Sequence, residues 1–322
     1  MKTAIIKMLM DEGGYISGEE LSSRLEITRA AVWKHICALR EDGCLIDAQT
    51  NKGYHLKRIP DLLKPEYIRL YQNERNHEIR WHYSVDSTND AAKDWAQKGA
   101  EEKSVVVTEH QTKGKGRLRR EWVSHPKEAV MLSMVFRPDI MPFEAPAINF
   151  CAALGVSRAI YSICGVETQI KWPNDVVYGS QKLCGILTEM TGDMDRIDYI
   201  ICGIGINANQ RAFEEEALEK ATSLRMIQDR KVNRCALCAE VIEQVFCYYQ
   251  KYINGGMEEI MDEYREKSAV VGKDLKVIYG KQIYEGNCTG FLDDGQIVVD
   301  VDGKEMVFNA GEVSLRGMAD YV

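Results

Sequence analysis

Four short stretches of this 322-residue sequence carry polar groups that a simple core does not need. Asp86-Ser87-Thr88-Asn89-Asp90 follows the strand-like run Trp81-His82-Tyr83-Ser84-Val85. Its hydroxyls and amide can hydrogen-bond a polar ligand head group, or can cap the helix that the pattern predicts over 89–97. Gln111-Thr112-Lys113-Gly114-Lys115-Gly116-Arg117-Leu118-Arg119-Arg120-Glu121-Trp122 sets two glycines and five cations within Lys113 to Arg120. Such a loop can wrap an anion through backbone N–H groups and guanidinium donors, or stand as an exposed basic loop. It lacks the Gly-Lys-Ser/Thr ending of a Walker A loop. Lys171-Trp172-Pro173-Asn174-Asp175 leads into Lys182-Leu183-Cys184-Gly185-Ile186-Leu187-Thr188-Glu189. A lysine before Gly185, at the head of an apolar strand, can be partly buried, where its charge counts for more. The plainer reading is a surface hairpin turning at Tyr178-Gly179-Ser180. In Gly203-Ile204-Gly205-Ile206-Asn207-Ala208-Asn209, alternating Gly and Ile predict a strand with one bare face, open to a flat ligand.

The elements that must hold these groups divide at Pro60 and Pro65, because a residue before proline is biased out of the helix. Three domains are expected, over 1–62, 66–270 and 271–322. In the first, Ser17-Gly18-Glu19-Glu20 matches a capping box, and Thr28 can cap a helix from Arg29 to about Arg40. Val32, Ile36 and Leu39 repeat at helical spacing and should face the core, which leaves Arg29, Trp33, Lys34 and Arg40 pointing elsewhere. Cys44-Leu45-Ile46 and Tyr54-His55-Leu56 flank Thr50-Asn51-Lys52-Gly53 as a two-stranded wing. A helix-turn-helix with a wing reads as a DNA-binding unit. Arg29, Ala30, Trp33 and Lys34 are the expected base contacts, with Lys52 on phosphate. In the centre, 105–107 and 130–136 predict buried strands, and 148–163 and 233–253 predict long helices. From Gly272, short strands broken by Gly and Asp-Asp-Gly turns predict a small β-barrel.

Composition narrows the classes further. Lys plus Arg number 41 against 49 acids, a net charge of −8, so bulk charge does not drive nucleic-acid coating. The first 58 residues nonetheless hold nine Lys/Arg against eight acids, leaving the deficit to the rest. Hydrophobic residues at 45% and charged residues at 28% are ordinary globular proportions. No uninterrupted apolar run approaches the roughly 18 residues of a membrane helix, and Lys7 and Asp11 break any signal-peptide core. Ten cysteines without an export signal read as reduced thiols in a cytoplasmic protein. Cys235 and Cys238 lack a second pair for a zinc site and read as structural. No internal repeat or low-complexity segment is present.

Together, and in this order, the four segments resemble the biotin protein ligases. With the front domain attached, the likeness is to the bifunctional ligases that also repress the biotin operon, and it covers essentially the whole chain, including Gly311-Glu312-Val313-Ser314-Leu315-Arg316. The resemblance implies an α+β multidomain protein: a winged helix-turn-helix, a central mixed α/β domain like that of class II aminoacyl-tRNA synthetases, and an SH3-like C-terminal barrel. It implies that Ser87, Thr88, Asn89 and Gln111 hold the biotin ring, and that Lys182 reaches the biotin carboxylate and the α-phosphate. Lys115, Gly116 and Arg117, bounded by Gly114 and Trp122, belong by the same likeness to the ligand-binding loop. Asn174, Asp175, Asn207 and Arg120 serve ATP or its Mg²⁺, with Asp175 facing the metal. Gly185, Gly203, Gly205 and Arg316 complete the ligand-contacting set.

The loop departs from the family pattern, which is close to Gly-Arg-Gly-Arg-x-Gly-Arg. Lys115 replaces the first arginine and loses its planar fork. Arg119 stands where glycine is usual, at about 1 kcal/mol if the backbone there is left-handed. The implied chemistry is adenylation without a covalent nucleophile on the protein, with Lys182, Arg117 and Asp175 as the catalytic groups. The product, biotinyl-5′-AMP, then biotinylates a lysine of a biotin carboxyl carrier domain. Binding of that adenylate is expected to favour a homodimer on operator DNA, with no membrane involved. Three alternatives are a lipoate or octanoate ligase on the related scaffold, a catalytically inactive biotin-sensing repressor, and a plain DNA-binding regulator with an unrelated small-molecule sensor.

Overall fold

The computed structural model describes residues 1–73, 77–214, 220–309 and 313–317; the side chains of Arg119, Val313 and Ser314 are not described. Gly311 and Glu312 of the tail motif lie outside the described residues.

The front elements form as their caps and spacing predict. Helix α1 (Lys2–Glu12) buries Ile5, Ile6 and Leu9. The Glu20 N–H donates to Ser17 Oγ at 3.0 Å and opens α2 (Gly18–Arg24). The Ala31 N–H donates to Thr28 Oγ1 at 3.2 Å and opens α3 (Arg29–Glu41), which buries Val32, Ile36 and Leu39. Strands β1 (Leu45–Gln49) and β2 (Gly53–Arg58) pair antiparallel as the wing, and a bridge between Ile16 and Tyr54 ties the wing back to the start of α2. Gly53 is required there: its φ is 104°, and a Cβ would sit 2.0 Å from the Ile16 carbonyl oxygen. Arg29, Ala30, Trp33, Lys34 and Lys52 are exposed. Arg40 is not free, contrary to expectation. Its Nε and Nη2 donate to the Ile46 carbonyl at 3.0 and 2.8 Å, so the side chain fastens α3 to the wing.

The linker and the short α4 (Pro65–Ile68) are locked down by ions. Asp42, at the end of α3, pairs with Lys2 at 2.6 Å and with Lys64. The Lys64 ammonium lies 4.9 Å from the Trp81 ring. Trp81 belongs to β3 (Ile79–Val85), and its indole N–H donates to Glu109 Oε1 at 3.1 Å. Glu109, fully buried on β4 (Val105–Gln111), also accepts the Leu63 N–H and pairs with Arg234 Nη2 at 2.8 Å. Arg234 donates in addition to Asp61 Oδ1 at 2.9 Å, the Asp61 carbonyl at 3.0 Å and the Ala129 carbonyl at 3.0 Å. Burial works against its charge, but Glu109 and Asp61 outweigh it and hold its pKa up.

A seven-stranded mixed sheet fills the centre in the order β3-β4-β5-β9-β8-β7-β6. Helix α5 (Thr88–Gln97) follows β3. After β4 come β5 (Ala129–Phe136), α6 (Ala147–Cys164), β6 (Gln169–Lys171), β7 (Asp175–Tyr178), β8 (Gln181–Gly192) and β9 (Ile197–Asn207). Only β3 and β4 run parallel. Residues alternate along β5: Val135 packs toward Ala92, Trp95 and Ala96 of α5, while Leu132, Met134 and Phe136 join the main core. That core is closed by α6, then α7 (Leu224–Gln228), α8 (Arg234–Gly255) and α9 (Glu258–Glu266). α6 lies in the one described helical stretch long and apolar enough to cross a bilayer, and 78% of that window is buried inside the protein. Cys235 and Cys238 are buried on α8, as structural thiols should be.

The last strands are β10 (Asp274–Tyr279), β11 (Gln282–Phe291), β12 (Ile297–Val301), β13 (Lys304–Phe308) and β14 (Val313–Gly317). They form one antiparallel sheet in the order β13-β12-β11-β10-β14. Among the described residues no ladder joins β13 to β14, so the sheet stays open where a closed barrel was expected. The Trp172 indole N–H donates to the Gly295 carbonyl at 3.0 Å and anchors this sheet beside the centre.

Arg234→Met leaves the buried Glu109 without its cation, while Asp61 keeps its pair with Lys231 at 2.6 Å. It should destabilise the protein by about 3–5 kcal/mol in urea unfolding. Arg234→Met combined with Glu109→Gln should recover part of that loss.

Candidate functional site

Two cavities meet at one set of side chains. The smaller, about 50 Å³, lies among Ser87, Thr88, Asn89, Gln111, Gly185, Gly203 and Gly205. The larger, about 550 Å³, has Arg120, Lys171, Asp175, Lys220 and Arg316 in its wall. Gly116, Arg117, Trp122, Asn174 and Lys182 line both. Lys115 borders the smaller one. The four segments thus converge, and β14 brings Arg316 from the C-terminal sheet.

The smaller pocket is built at the start of α5. Ser87 occupies the N-cap position, yet its side chain makes no capping bond, so the helix does not use its hydroxyl. The Thr88 N–H and hydroxyl both donate to Gln111 Oε1, at 2.7 and 2.9 Å. Asn89 is different. Its Nδ2 donates to Glu189 Oε2 at 2.6 Å and to the Leu187 carbonyl at 3.2 Å, while its Oδ1 accepts from Ser133 Oγ at 2.6 Å. With both ends of the amide committed, Asn89 orders the wall of the small pocket that it also lines.

The bare strand faces are not vacant either. A Cβ on Gly203 would come 2.1 Å from Asn89 Oδ1, and one on Gly205 2.7 Å from Trp122 Cε2. Gly185 likewise faces Lys182 and Trp122 at 3.0 Å. The flat group on the glycine strands is therefore the Trp122 indole itself. Its Nε1 is buried with no hydrogen-bond acceptor among the described residues.

Lys182 projects where β8 leaves the hairpin that turns at Gly179 (φ 56°). Both readings of this segment hold: it is a hairpin, and it presents a lysine. Lys182 Nζ lies 2.7 Å from Asp175 Oδ1 and 5.7 Å from the Trp122 ring centroid. Arg117 Nη1 donates to Asn174 Oδ1 at 3.1 Å, and burial pulls its pKa down. Burial also lowers Lys171, to about 8, against the pull of Asp175 and with the push of Lys182, Arg316 and Arg120. Each cation thus crowds the others, a field that an incoming polyanion relieves. Not every cation of the basic loop faces this cavity. Lys113 pairs with Asp86 at 2.9 Å, and Lys115 pairs with Asp90.

The loop folds on itself: the Trp122 N–H donates to the Gly114 carbonyl at 2.9 Å, and the Gly116 N–H to the Arg120 carbonyl at 2.7 Å. Its left-handed residue is Leu118 (φ 54°), one position before Arg119, so the expected strain at 119 falls on the preceding residue. Asn207, expected to serve the nucleotide, instead donates to the Thr222 carbonyl at 3.0 Å and accepts from Gln210 Nε2 at 3.1 Å. It holds the return from β9 and lines neither cavity.

Residues 81–207 match the biotin/lipoate A/B protein ligase family, and residues 2–55 match an HTH domain. The bifunctional ligase/repressor BirA of Bacillus subtilis is 31% identical over 316 residues, 96% of this chain and 97% of that protein. The chain belongs to the bifunctional ligase/repressor family. The Escherichia coli BirA is 28% identical over 310 residues, 96% of this chain and 95% of its own. The biotin protein ligase of Aquifex aeolicus, solved in complex with biotin and ATP, superposes with a TM-score of 0.67 at 28% identity. It covers 74% of this chain and 99% of its own.

Within this ligase/repressor, Ser133, Glu189 and Lys220 were not singled out from the sequence. Ser133 had a signal, as the one polar residue in the apolar run 130–136. Glu189 had one too, as the acid that closes the third polar segment, whereas Lys220 had none.

Gly203→Ala drives a methyl group into the Asn89 amide and should lower stability by about 1–3 kcal/mol in thermal unfolding. Gly14→Ala, whose new methyl meets nothing closer than 3.9 Å, is the control and should change stability by less than about 0.5 kcal/mol.

Proposed function

We propose that this chain condenses biotin with ATP to biotinyl-5′-AMP, transfers biotin to a lysine of a biotin carboxyl carrier domain, and represses transcription from operator DNA when the adenylate is held. The observation that carries this reading is the shared wall of the two cavities. A ring seated in the small pocket directs its carboxylate past Lys182 and Arg117 toward the cation-lined space that suits a triphosphate.

The carboxylate oxygen attacks the α-phosphorus, and the bond to pyrophosphate breaks as pyrophosphate leaves. Lys182, Arg117 and Arg120 stabilise the charge gathering on the phosphoryl oxygens. Asp175 holds Lys182 in place through the 2.7 Å ion pair. Trp122 and the basic loop keep water from the mixed anhydride. In the second step the acceptor amine attacks the acyl carbon, AMP departs, and Asp175 is the candidate to take the amine's proton. Mg²⁺, when bound, neutralises phosphate charge. Among the described residues no cluster of three potential ligands exists to cage such an ion. Asp175 can supply one carboxylate, with phosphate and water oxygens filling the remaining positions.

Residues 1–62 are the DNA reader, with Arg29, Ala30, Trp33 and Lys34 presented to bases and Lys52 to phosphate; 66–270 form the catalytic domain, related to class II aminoacyl-tRNA synthetases. Residues 271–322 form an SH3-like unit that lends Arg316 to the nucleotide. Adenylate binding orders the loop and favours a dimer that spans two half-sites. Ten cysteines without a disulfide fit a cytoplasmic setting.

Incubation with ATP, labelled biotin and a carrier domain should give covalent transfer, and Lys182→Ala should abolish it beside an active parent. Transfer of lipoate in place of biotin would favour the sister activity, and no transfer of either would leave only a sensor. Operator affinity should rise with biotin plus ATP; an unchanged affinity would overturn the repression half.

A further inference from the structure

The wall behind the small pocket contains a hydrogen-bonded chain that ends on a carboxylate. Glu189 accepts from Asn89 Nδ2 at 2.6 Å, Asn89 Oδ1 accepts from Ser133 Oγ at 2.6 Å, and Ser133 Oγ lies 2.8 Å from Thr88 Oγ1. Thr88 in turn donates its N–H and hydroxyl to Gln111 Oε1. Resting on the reading above, we propose that Glu189 and Ser133 are positioning residues for recognition of the biotin ring: by fixing both ends of the Asn89 amide they set the donor pattern that Thr88 and Gln111 present.

The argument is one of proton counting. An ionised carboxylate only accepts hydrogen bonds, so Glu189 compels Asn89 to turn its NH₂ toward β8. The Asn89 carbonyl oxygen is thereby left facing Ser133. Ser133 has a single proton for two acceptors, Asn89 Oδ1 and Thr88 Oγ1, and the nearer oxygen is that of Asn89. The Thr88 hydroxyl gives its proton to Gln111 Oε1 at 2.9 Å, beside the Thr88 N–H at 2.7 Å, so the Gln111 carbonyl is held by two donors. The Gln111 NH₂ group, on the other side of the same amide, remains as a donor toward the pocket. A ureido ring offers one carbonyl acceptor and two N–H donors, so the placement of Thr88 and Gln111 decides whether the pocket complements it.

Location supports the assignment. Ser133 is fully buried on the face of β5 that meets α5. Asn89, also buried, stands over Gly203 so closely that no side chain fits between them. Removing the carboxylate frees Asn89 to flip. Its NH₂ then faces Ser133, whose proton turns to Thr88, and the bonds that pin Asn89, and with it the neighbouring Thr88, between β5 and β8 are lost.

The test uses the full-length chain and measures biotin binding by calorimetry without ATP, with thermal unfolding alongside and kcat and KM for both substrates. Glu189→Ala should raise the biotin Kd by about tenfold or more while leaving the KM for ATP and the kcat at saturating biotin within about twofold. Glu189→Gln, which still offers a carbonyl acceptor, should recover most of the affinity, and Ser133→Ala should weaken biotin in the same selective way. A folded Glu189→Ala protein that binds biotin as tightly as the parent overturns the proposal. Equal losses for biotin and ATP, with Gln no better than Ala, also overturn it, since they mark a general packing role. A parent that binds no biotin at all defeats instead the reading on which the proposal rests.

Discussion

Arg234 has no access to water, so its guanidinium must be satisfied inside the protein, and that requirement organises everything around it. Its oxygens come from three places distant in sequence: the linker at Asp61, the sheet at Glu109 and the start of β5 at Ala129. A fully satisfied buried ion of this kind adds little net stability over an apolar replacement, but it tolerates no partial version of itself. It therefore specifies where the linker lies. From Glu109 the connections run through Trp81 and Lys64 to Asp42 at the end of α3. The orientation of α3 in the HTH domain is thus tied by charge to the strand that also carries Gln111.

At the other end of the sheet the balance of charge is deliberately uneven. Lys171, Lys182, Arg117, Arg120 and Arg316 converge on a single buried carboxylate, Asp175. Burial and the neighbouring cations push Lys171 toward losing its charge, and burial and Arg120 act the same way on Arg117. A polyphosphate removes that stress. The site is preorganised for an anion and correspondingly poor at closing without one. The C-terminal sheet takes part because Trp172, in the middle of the Lys171–Asp175 run, is bonded to Gly295.

Local signals carried much of this into view. Ser17 and Thr28 cap their helices where the pattern places them, and the 3.6-residue spacing of Val32, Ile36 and Leu39 defines the buried face of α3. The four polar segments were legible because each breaks an otherwise apolar or turn-like context. What escaped has a common cause: the partner of each group lies far away in sequence. No local pattern reveals that Asn89 reaches across about a hundred residues to Glu189. Nor does one show that Arg40 is held by a carbonyl of the wing, or that the indole of Trp122 covers Gly205. Closure of the last sheet depends likewise on pairing between non-adjacent strands, which turn residues cannot encode.

The indole on the glycine strands has one further implication. With Trp122 where it is, the small pocket has room for no more than a few water molecules. A ring larger than that enters only as the Trp122 indole shifts aside, and the loop held by the Trp122 N–H to Gly114 carbonyl bond shifts with it. Arrival and rearrangement are then a single event: part of the attraction for the newcomer is diverted into reshaping the doorway, and the measured affinity understates the intrinsic grip by that amount.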